Sequence, residues 1–306
     1  MLFDLPKISI IIPVYNLEDC LQRCVNSILS NEEKNFELLL INDGSKDNSG
    51  VLCDEIAKSD PRIKVFHKAN GGVGAARNLG IEHARGEWVS FIDGDDEISV
   101  DFLSIPEDMS NCDVIQKTRV YRKNNNPESD ILYHVPNKVI DTEIDIFRFF
   151  IRKGNLEITE KLIKRKVIDE DRFATNIPIG EDGLFFYTII NKIHSWCFSP
   201  KGEYIYHIRP SSAMNSTQKH VRIKTWFNLC DKAFEIADTK KIKKICDNYI
   251  ADKYVPAIFS KWDELEDTQK AKAIMILKDI CWRNLSLLSF KHLMKFILIF
   301  CRFGIK

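Results

Sequence analysis

A chain of 306 residues that is 44% hydrophobic and 29% charged has the composition of an ordinary folded domain with room for an appendage. Its 44 basic and 44 acidic residues cancel, so no overall charge draws it to nucleic acid, and no run of about 18 uncharged apolar residues offers a membrane span. The nine cysteines stand singly, with no Cys-x-x-Cys pair. That excludes metal-finger spacing and reads as reduced thiols in a cytoplasmic protein; Leu2-Phe3-Asp4-Leu5-Pro6 likewise lacks the pattern of a secretory signal.

Taken in chain order, Ile8-Ser9-Ile10-Ile11-Ile12-Pro13-Val14 is a nearly continuous β-branched run, as a strand buried on both faces requires. Leu21, Cys24, Val25, Ile28 and Leu29 then mark one stripe of a helix. Phe36 to Ile41 predicts a strand, Ser49 to Lys58 a helix, Ile63 to Phe66 a strand, Val73 to Ala84 a helix and Trp88 to Ile92 a strand. Such alternation with short links predicts an α/β fold built on a mostly parallel sheet flanked by helices. In the second hundred residues the pattern thins: Val114 to Tyr121 predicts a strand, Asn124 to Pro127 a turn, and Glu143 to Arg152 and Gly183 to Asn191 helices. Beyond Lys219 the segments are mostly helical, Phe234/Ile236/Ala237 and Ala271 to Leu277 among them.

Ligands of parallel sheets sit beyond the carboxyl ends of the strands. Three strands end in polar, turn-prone clusters: Pro13-Val14-Tyr15-Asn16, Asn42-Asp43-Gly44-Ser45 and Asp93-Gly94-Asp95-Asp96. All three should open on one edge. Carboxylates two apart at a strand end suit a hard cation, Mg²⁺ or Mn²⁺, whose shell is completed by phosphate and water; a solvated Asp-Gly turn is the plainer alternative. Asn70-Gly71-Gly72-Val73-Gly74-Ala75-Ala76-Arg77-Asn78 leaves backbone N–H groups free at a helix start, where anions bind. It matches neither GxGxxG nor GxxxxGK[ST].

Ile10 to Asn16, Ile41-Asn42-Asp43-Gly44-Ser45-Lys46-Asp47, Gly71 to Asn78 and Phe91 to Asp96, in that order, resemble the family 2 inverting glycosyltransferases of GT-A fold, especially those that build bacterial polysaccharides. The likeness is specific over residues 7 to 100 and looser to about residue 213. It implies a GT-A catalytic domain over 1–218, with a nucleotide-binding half (1–100) and an acceptor-binding half (101–218), followed by a helical C-terminal region over 219–306. The resemblance also implies a nucleotide-sugar donor, a UDP-sugar first, and a saccharide or lipid-linked saccharide acceptor. Pro13, Tyr15 and Asn16 would flank the base, Asp43 would pair with it, and Gly72 and Arg77 would meet the ribose, base or phosphates. Asp93 and Gly94 would lie against the nucleotide-sugar, and Asp95 with Asp93 would hold the metal. The family's pattern has two aspartates before Gly-Ser, and Asn42 departs from it.

Inverting transfer needs a base for the acceptor hydroxyl. The family's Glu-Asp pair at a helix start matches Glu181-Asp182 in Gly180-Glu181-Asp182-Gly183, which makes Asp182 the base and Glu181 its aid; a plain helix cap is the alternative. The helix dipole should lower the pKa of Asp182. In Tyr204-Ile205-Tyr206-His207-Ile208-Arg209-Pro210-Ser211-Ser212, Arg209 is the expected diphosphate clamp and His207 a metal or phosphate ligand. Residues 284–306 carry Lys291, Lys295, Arg302 and Lys306 among apolar residues and no acid. That helix either lies on the inner face of the cell membrane or packs on the catalytic domain. A sugar-nucleotide pyrophosphorylase would need a glycine-rich loop after the first strand, where Pro13-Val14-Tyr15-Asn16 stands, and a non-catalytic nucleotide-sugar-binding protein would not need Asp95 and Asp182.

Overall fold

The computed structural model describes residues 5–123, 126–153, 157–175, 177, 180–208 and 262–284, with 228, 229, 231, 232, 235, 246 and 250. The chain divides into two compact units: one comprises Met1–Ile146 with Leu156–Ser216, the other Phe147–Asn155 with Thr217–Lys306. The second unit thus takes in a short segment from the middle of the chain, which the reading in chain order does not anticipate. Its described helix is α7 (Asp267–Asn284). The predicted tail helix, Arg209 and the Phe234/Ile236/Ala237 segment lie outside the described residues. Among the described residues no helix is long and apolar enough to cross a membrane.

The first unit opens with the expected alternation: β1 (Ile8–Val14), α1 (Leu21–Leu29), β2 (Phe36–Asn42), α2 (Ser49–Ser59), β3 (Ile63–His67), α3 (Val73–His83) and β4 (Trp88–Phe91). Then come β5 (Glu97–Ile98), β6 (Val114–Lys123), β7 (Asn126–Tyr133), β8 (Lys138–Ile140), α4 (Glu143–Lys153, which runs into the second unit), β9 (Lys161–Lys164), α5 (Arg165–Ile168), α6 (Glu181–Ile189) and β10 (Trp196–Ile208). The ten strands form one sheet, ordered β3-β2-β1-β4-β9-β6-β10-β5, with β7 on β6 and β8 on β10.

Strands β3, β2, β1 and β4 are parallel, and Val14 lies beside Asn42. The three polar clusters therefore do open on one edge. Past β4 the sheet is mixed rather than mostly parallel: β9 runs antiparallel to both β4 and β6, while β10 is parallel to β6. The apolar stripe of α1 (Leu21, Cys24, Val25, Ile28) packs on the fully buried Ile8, Ile10 and Ile12. Burying that much apolar surface at about 25 cal/mol per Å² is the main driving force for this layer.

Two glycines set how closely α3 sits. A Cβ at Gly80 would stand 2.3 Å from Cγ2 of Ile11, and one at Gly74 would stand 2.6 Å from the carbonyl of Ala174. The helix is gripped between the sheet and the segment before α6. Asn78 ties that segment down, donating to the Phe173 carbonyl (2.9 Å) and accepting from its N–H (2.8 Å).

Glu37 is a charge inside β2 at 2% exposure. Its carboxylate accepts from the Ser9 hydroxyl, the Arg85 N–H and guanidinium, and Lys64. Burial pushes its pKa up, and these donors overcome that and leave it below the usual range. Cys112, just before β6, and Cys197, in β10, stand against each other with Cα atoms 6.2 Å apart; the parallel register sets Cys197 beside Ile115.

Candidate active site

The site grows from the ends of β1, β2 and β4. Past β1, Tyr15 is 41% exposed beside the half-buried Pro13, and Asn16 adopts φ +54°. Asn16 binds across to the next strand end: its N–H donates to the Ser45 hydroxyl (3.2 Å) and its Oδ1 accepts from Lys46 N–H (2.8 Å). Asn42, which replaces the expected aspartate, accepts from Ser45 N–H through Oδ1 and donates to Nδ1 of His67 (2.9 Å). An aspartate could not supply that donor.

Asp43 is buried. Its Oδ1 accepts from Lys68 (2.5 Å) and Gly71 N–H (2.9 Å), and its Oδ2 from Gly72 N–H (2.8 Å). The N–H groups of Gly71 and Gly72, expected to be free at the start of α3, are taken in this structure by the chain's own Asp43 carboxylate. Lys68 was not singled out from the sequence, although it stands three residues before Gly71. Gly72 has φ +85°, a conformation that favours glycine.

Arg77, on α3, does not point to free solvent. Its guanidinium is buried and gathers three carboxylates: Glu181 Oε1 at 2.9 Å, Asp182 Oδ1 at 2.5 Å and Asp93 Oδ1 at 3.0 Å. It also lies over the Phe173 ring at 5.4 Å, and that ring stacks on Phe185 of α6. Burial opposes its charge, and Asp182, Asp93 and Glu181 outweigh burial, so its pKa rises. The second oxygen of Asp182 accepts from Ile158 N–H at 3.1 Å.

One cation thus faces three acids, Glu181 buried and Asp93 and Asp182 half-buried. Burial, with Glu181 and Asp93 adding and Arg77 opposing, raises Asp182 to about 8. The lowered pKa expected from the helix dipole is thereby corrected, since a dipole worth about 1 kcal/mol is outweighed by desolvation and two neighbouring acids. Asp93 is also raised, by burial first, against Arg77.

The Asp93-Gly94-Asp95-Asp96 turn divides by role. Asp93 and Asp95 are half-buried, and Gly94 is packed so that a Cβ would stand 2.7 Å from Leu17. Asp96 is fully buried: its Oδ2 accepts from the Tyr204 hydroxyl (2.7 Å) and its Oδ1 from His207 N–H (2.9 Å). The Tyr204 oxygen accepts in turn from Asp93 N–H at 3.2 Å. Tyr204, which the sequence reading passed over as part of a motif, is the brace of this turn.

His207 is buried with Nε2 at 2.7 Å from Glu97 Oε1, which Arg23 also meets at 3.2 Å. Among the described residues no three His, Cys, Asp or Glu side chains are arranged to hold a metal. His207, expected as a metal or phosphate ligand, has its Nε2 paired with Glu97 in this structure. Two partly accessible carboxylates still suit a hard cation that takes its other oxygens from phosphate and water.

The chain belongs to glycosyl transferase family 2, whose model matches residues 9–170, more than half of the sequence. Glycosyltransferase GlyA of Streptococcus pneumoniae serotype 4 (strain ATCC BAA-334 / TIGR4) is 31% identical over 224 residues, covering 69% of this chain and 32% of GlyA, so the chain spans about a third of that relative's length. Among solved structures, S. aureus TarS 1–349 in complex with UDP-GlcNAc superposes with a TM-score of 0.65 at 20% identity, over 90% of this chain and 80% of that one. The mannosyltransferase PcManGT from Pyrobaculum calidifontis, in complex with GDP-Man and Mn²⁺, gives 0.57 at 15% identity, over 96% and 79%. These likenesses identify the fold as the GT-A type.

Proposed function

We propose that this chain transfers a sugar, with inversion, from a nucleoside diphosphate sugar to a hydroxyl of a saccharide acceptor, and that Asp182 is the base. The observation that carries the reading is the Arg77 hub, which joins Asp93 of the candidate donor corner to Glu181 and Asp182 at the start of α6. Donor support and proton acceptor are set at a defined spacing by one guanidinium.

The donor's base enters beside Tyr15, with Asp43 as its polar partner. A carboxylate accepts from an imide N–H, which uracil carries, and the UDP-GlcNAc complex of TarS favours a UDP-sugar. Asp95 and Asp93 would hold a divalent ion, as the Mn²⁺ in the mannosyltransferase suggests; when bound, it offsets charge on the departing diphosphate. Asp182 takes the acceptor proton. A pKa near 8 makes it a stronger base than an ordinary carboxylate, and proton transfer is most effective when the base is tuned near working pH. Glu181 shares Nη1 of Arg77 with Asp182 and keeps the fork oriented. Arg209 is our candidate for the diphosphate's cation, and a surface polysaccharide precursor, lipid-linked, is our candidate acceptor.

The test is release of nucleoside diphosphate from a set of UDP- and GDP-sugars, with Mn²⁺, with Mg²⁺ and with chelator. Metal-dependent release from a UDP-sugar, lost in Asp95→Ala, supports the donor reading. Full transfer by Asp182→Asn would sink the proposed base.

A further inference from the structure

The same sheet carries a second chemistry-bearing face, beyond the residues around Arg77. β6 and β10 run parallel with Arg119 beside Tyr204 and Tyr121 beside Tyr206, and β7 sets Tyr133 opposite Arg119. Paired residues share one face of a sheet. The rings meet edge to face: Tyr121 lies 5.2 Å from Tyr133 and 5.5 Å from Tyr206. Tyr133 is 62% exposed, and Tyr121 and Tyr206 are half-buried.

Arg119 forms the floor. Its guanidinium carbon lies 5.7 Å from the Tyr121 ring and 5.9 Å from that of Tyr206. It is bonded to Glu160 and to the Thr159 hydroxyl, and it faces Glu157 at 3.5 Å, whose side chain is 49% exposed. Its Nε has no hydrogen-bond partner among the described residues. A buried donor left unmade is costly. Glu160 holds φ +43°, a conformation that a non-glycine residue rarely adopts and that gathers at functional sites. Segment 157–161 also holds the base, through the Ile158 N–H on Asp182.

We propose that the Tyr121–Tyr133–Tyr206 surface, with Arg119 and Glu157 at its floor, binds the acceptor saccharide; this rests on the reading of Asp182 as base. A sugar ring offers a C–H face to the electron-rich face of an aromatic ring, and its hydroxyls pair with carboxylate and guanidinium. Placement agrees with this. The candidate donor corner lies at the ends of β1, β2 and β4, the tyrosines lie on β6, β7 and β10, and β9 stands between β4 and β6 in the sheet. An attacking hydroxyl must approach the anomeric carbon from the side opposite the leaving diphosphate, with the Asp182 carboxylate beside it to take its proton.

The test is saturation-transfer NMR with a panel of hexose and hexosamine methyl glycosides, recorded in the presence of UDP and Mn²⁺. The wild type should transfer saturation from aromatic protons to sugar ring protons. Tyr121→Ala and Tyr206→Ala should weaken glycoside binding roughly two- to tenfold, the worth of one aromatic contact, and Tyr121→Phe should retain it. UDP binding, followed by thermal shift, should be unchanged in all three, which reports folding and the donor site separately. Loss of UDP binding by the wild type would count against the donor reading alone. Undiminished glycoside signal in both alanine variants, or no signal from any glycoside in the wild type, overturns the platform.

Discussion

Replacing Arg77 by lysine keeps the charge and removes the fork. The guanidinium reaches Glu181, Asp182 and Asp93 at 2.9, 2.5 and 3.0 Å, and one ammonium cannot hold three acids in those directions. At an effective dielectric near 20, each close pair is worth about 4 kcal/mol of Coulomb energy at 4 Å. The net loss is smaller, because a stranded carboxylate takes up a proton. Removing one partner of a buried pair costs about 3–5 kcal/mol, so Arg77→Met should lose about that much and Arg77→Lys about half. Against a domain stability of about 5–15 kcal/mol, the lysine variant stays folded for kinetics. Its transfer rate should fall about 100-fold, the effect of an ångström-scale misplacement of reacting groups. With the opposing cation displaced, the pKa of Asp182 should climb further. Urea denaturation and nucleoside diphosphate release on the same preparations measure both quantities. A lysine variant within about 0.5 kcal/mol of wild type, the range of an ordinary surface change, and with the wild-type rate, would refute the hub.

Three further expectations are independent of that variant. Because Asp182 must be ionised to accept a proton and its pKa is about 8, kcat/KM should rise with pH up to that region, and a flat profile between pH 6 and 9, the range over which such a base ionises, would contradict its role. Tyr204→Phe deletes one oxygen between the Asp93 N–H and the Asp96 carboxylate, and should cost about 1–3 kcal/mol in urea denaturation, with weaker donor binding. Glu37→Gln should cost about 2 kcal/mol at neutral pH. The pKa of Glu37 is lowered by folding, so its contribution is complete above the unfolded carboxylate value and fades as pH falls through the lowered one. The gap between wild type and variant should therefore close below about pH 4, and a gap that widens in acid would be the wrong sign.

The parallel half of the fold was legible because strands buried on both faces read as unbroken runs, as in Ile8 to Val14. The second half hid for the opposite reason. β7 is largely exposed and contains Pro127, so it lacks apolar alternation, and β9 carries Lys161 and Lys164 in buried positions that only three-dimensional partners explain. At the site, the strand-end clusters could be found from local chemistry. The hub could not: Arg77 meets carboxylates 16, 104 and 105 residues away, and no local pattern signals such a meeting. The pairing of His207 with Glu97 was not legible either, because a histidine near an acidic turn suits a metal and an ion pair equally.

The grip on α3 has a consequence for how the site can change. Gly80 and Gly74 hold the helix on two sides through the absence of side chains, and Arg77 lies between them in sequence. A single methyl group added at either glycine, more than one helical turn apart along the axis, would lever the guanidinium away from all three acids at once. The position of the charge that organises the candidate active site is thus set by two hydrogen atoms that touch neither donor nor acceptor. Substitutions in the fitted surfaces facing them, at Ile11 or around Ala174, are where drift in activity without loss of any reacting group should first be seen.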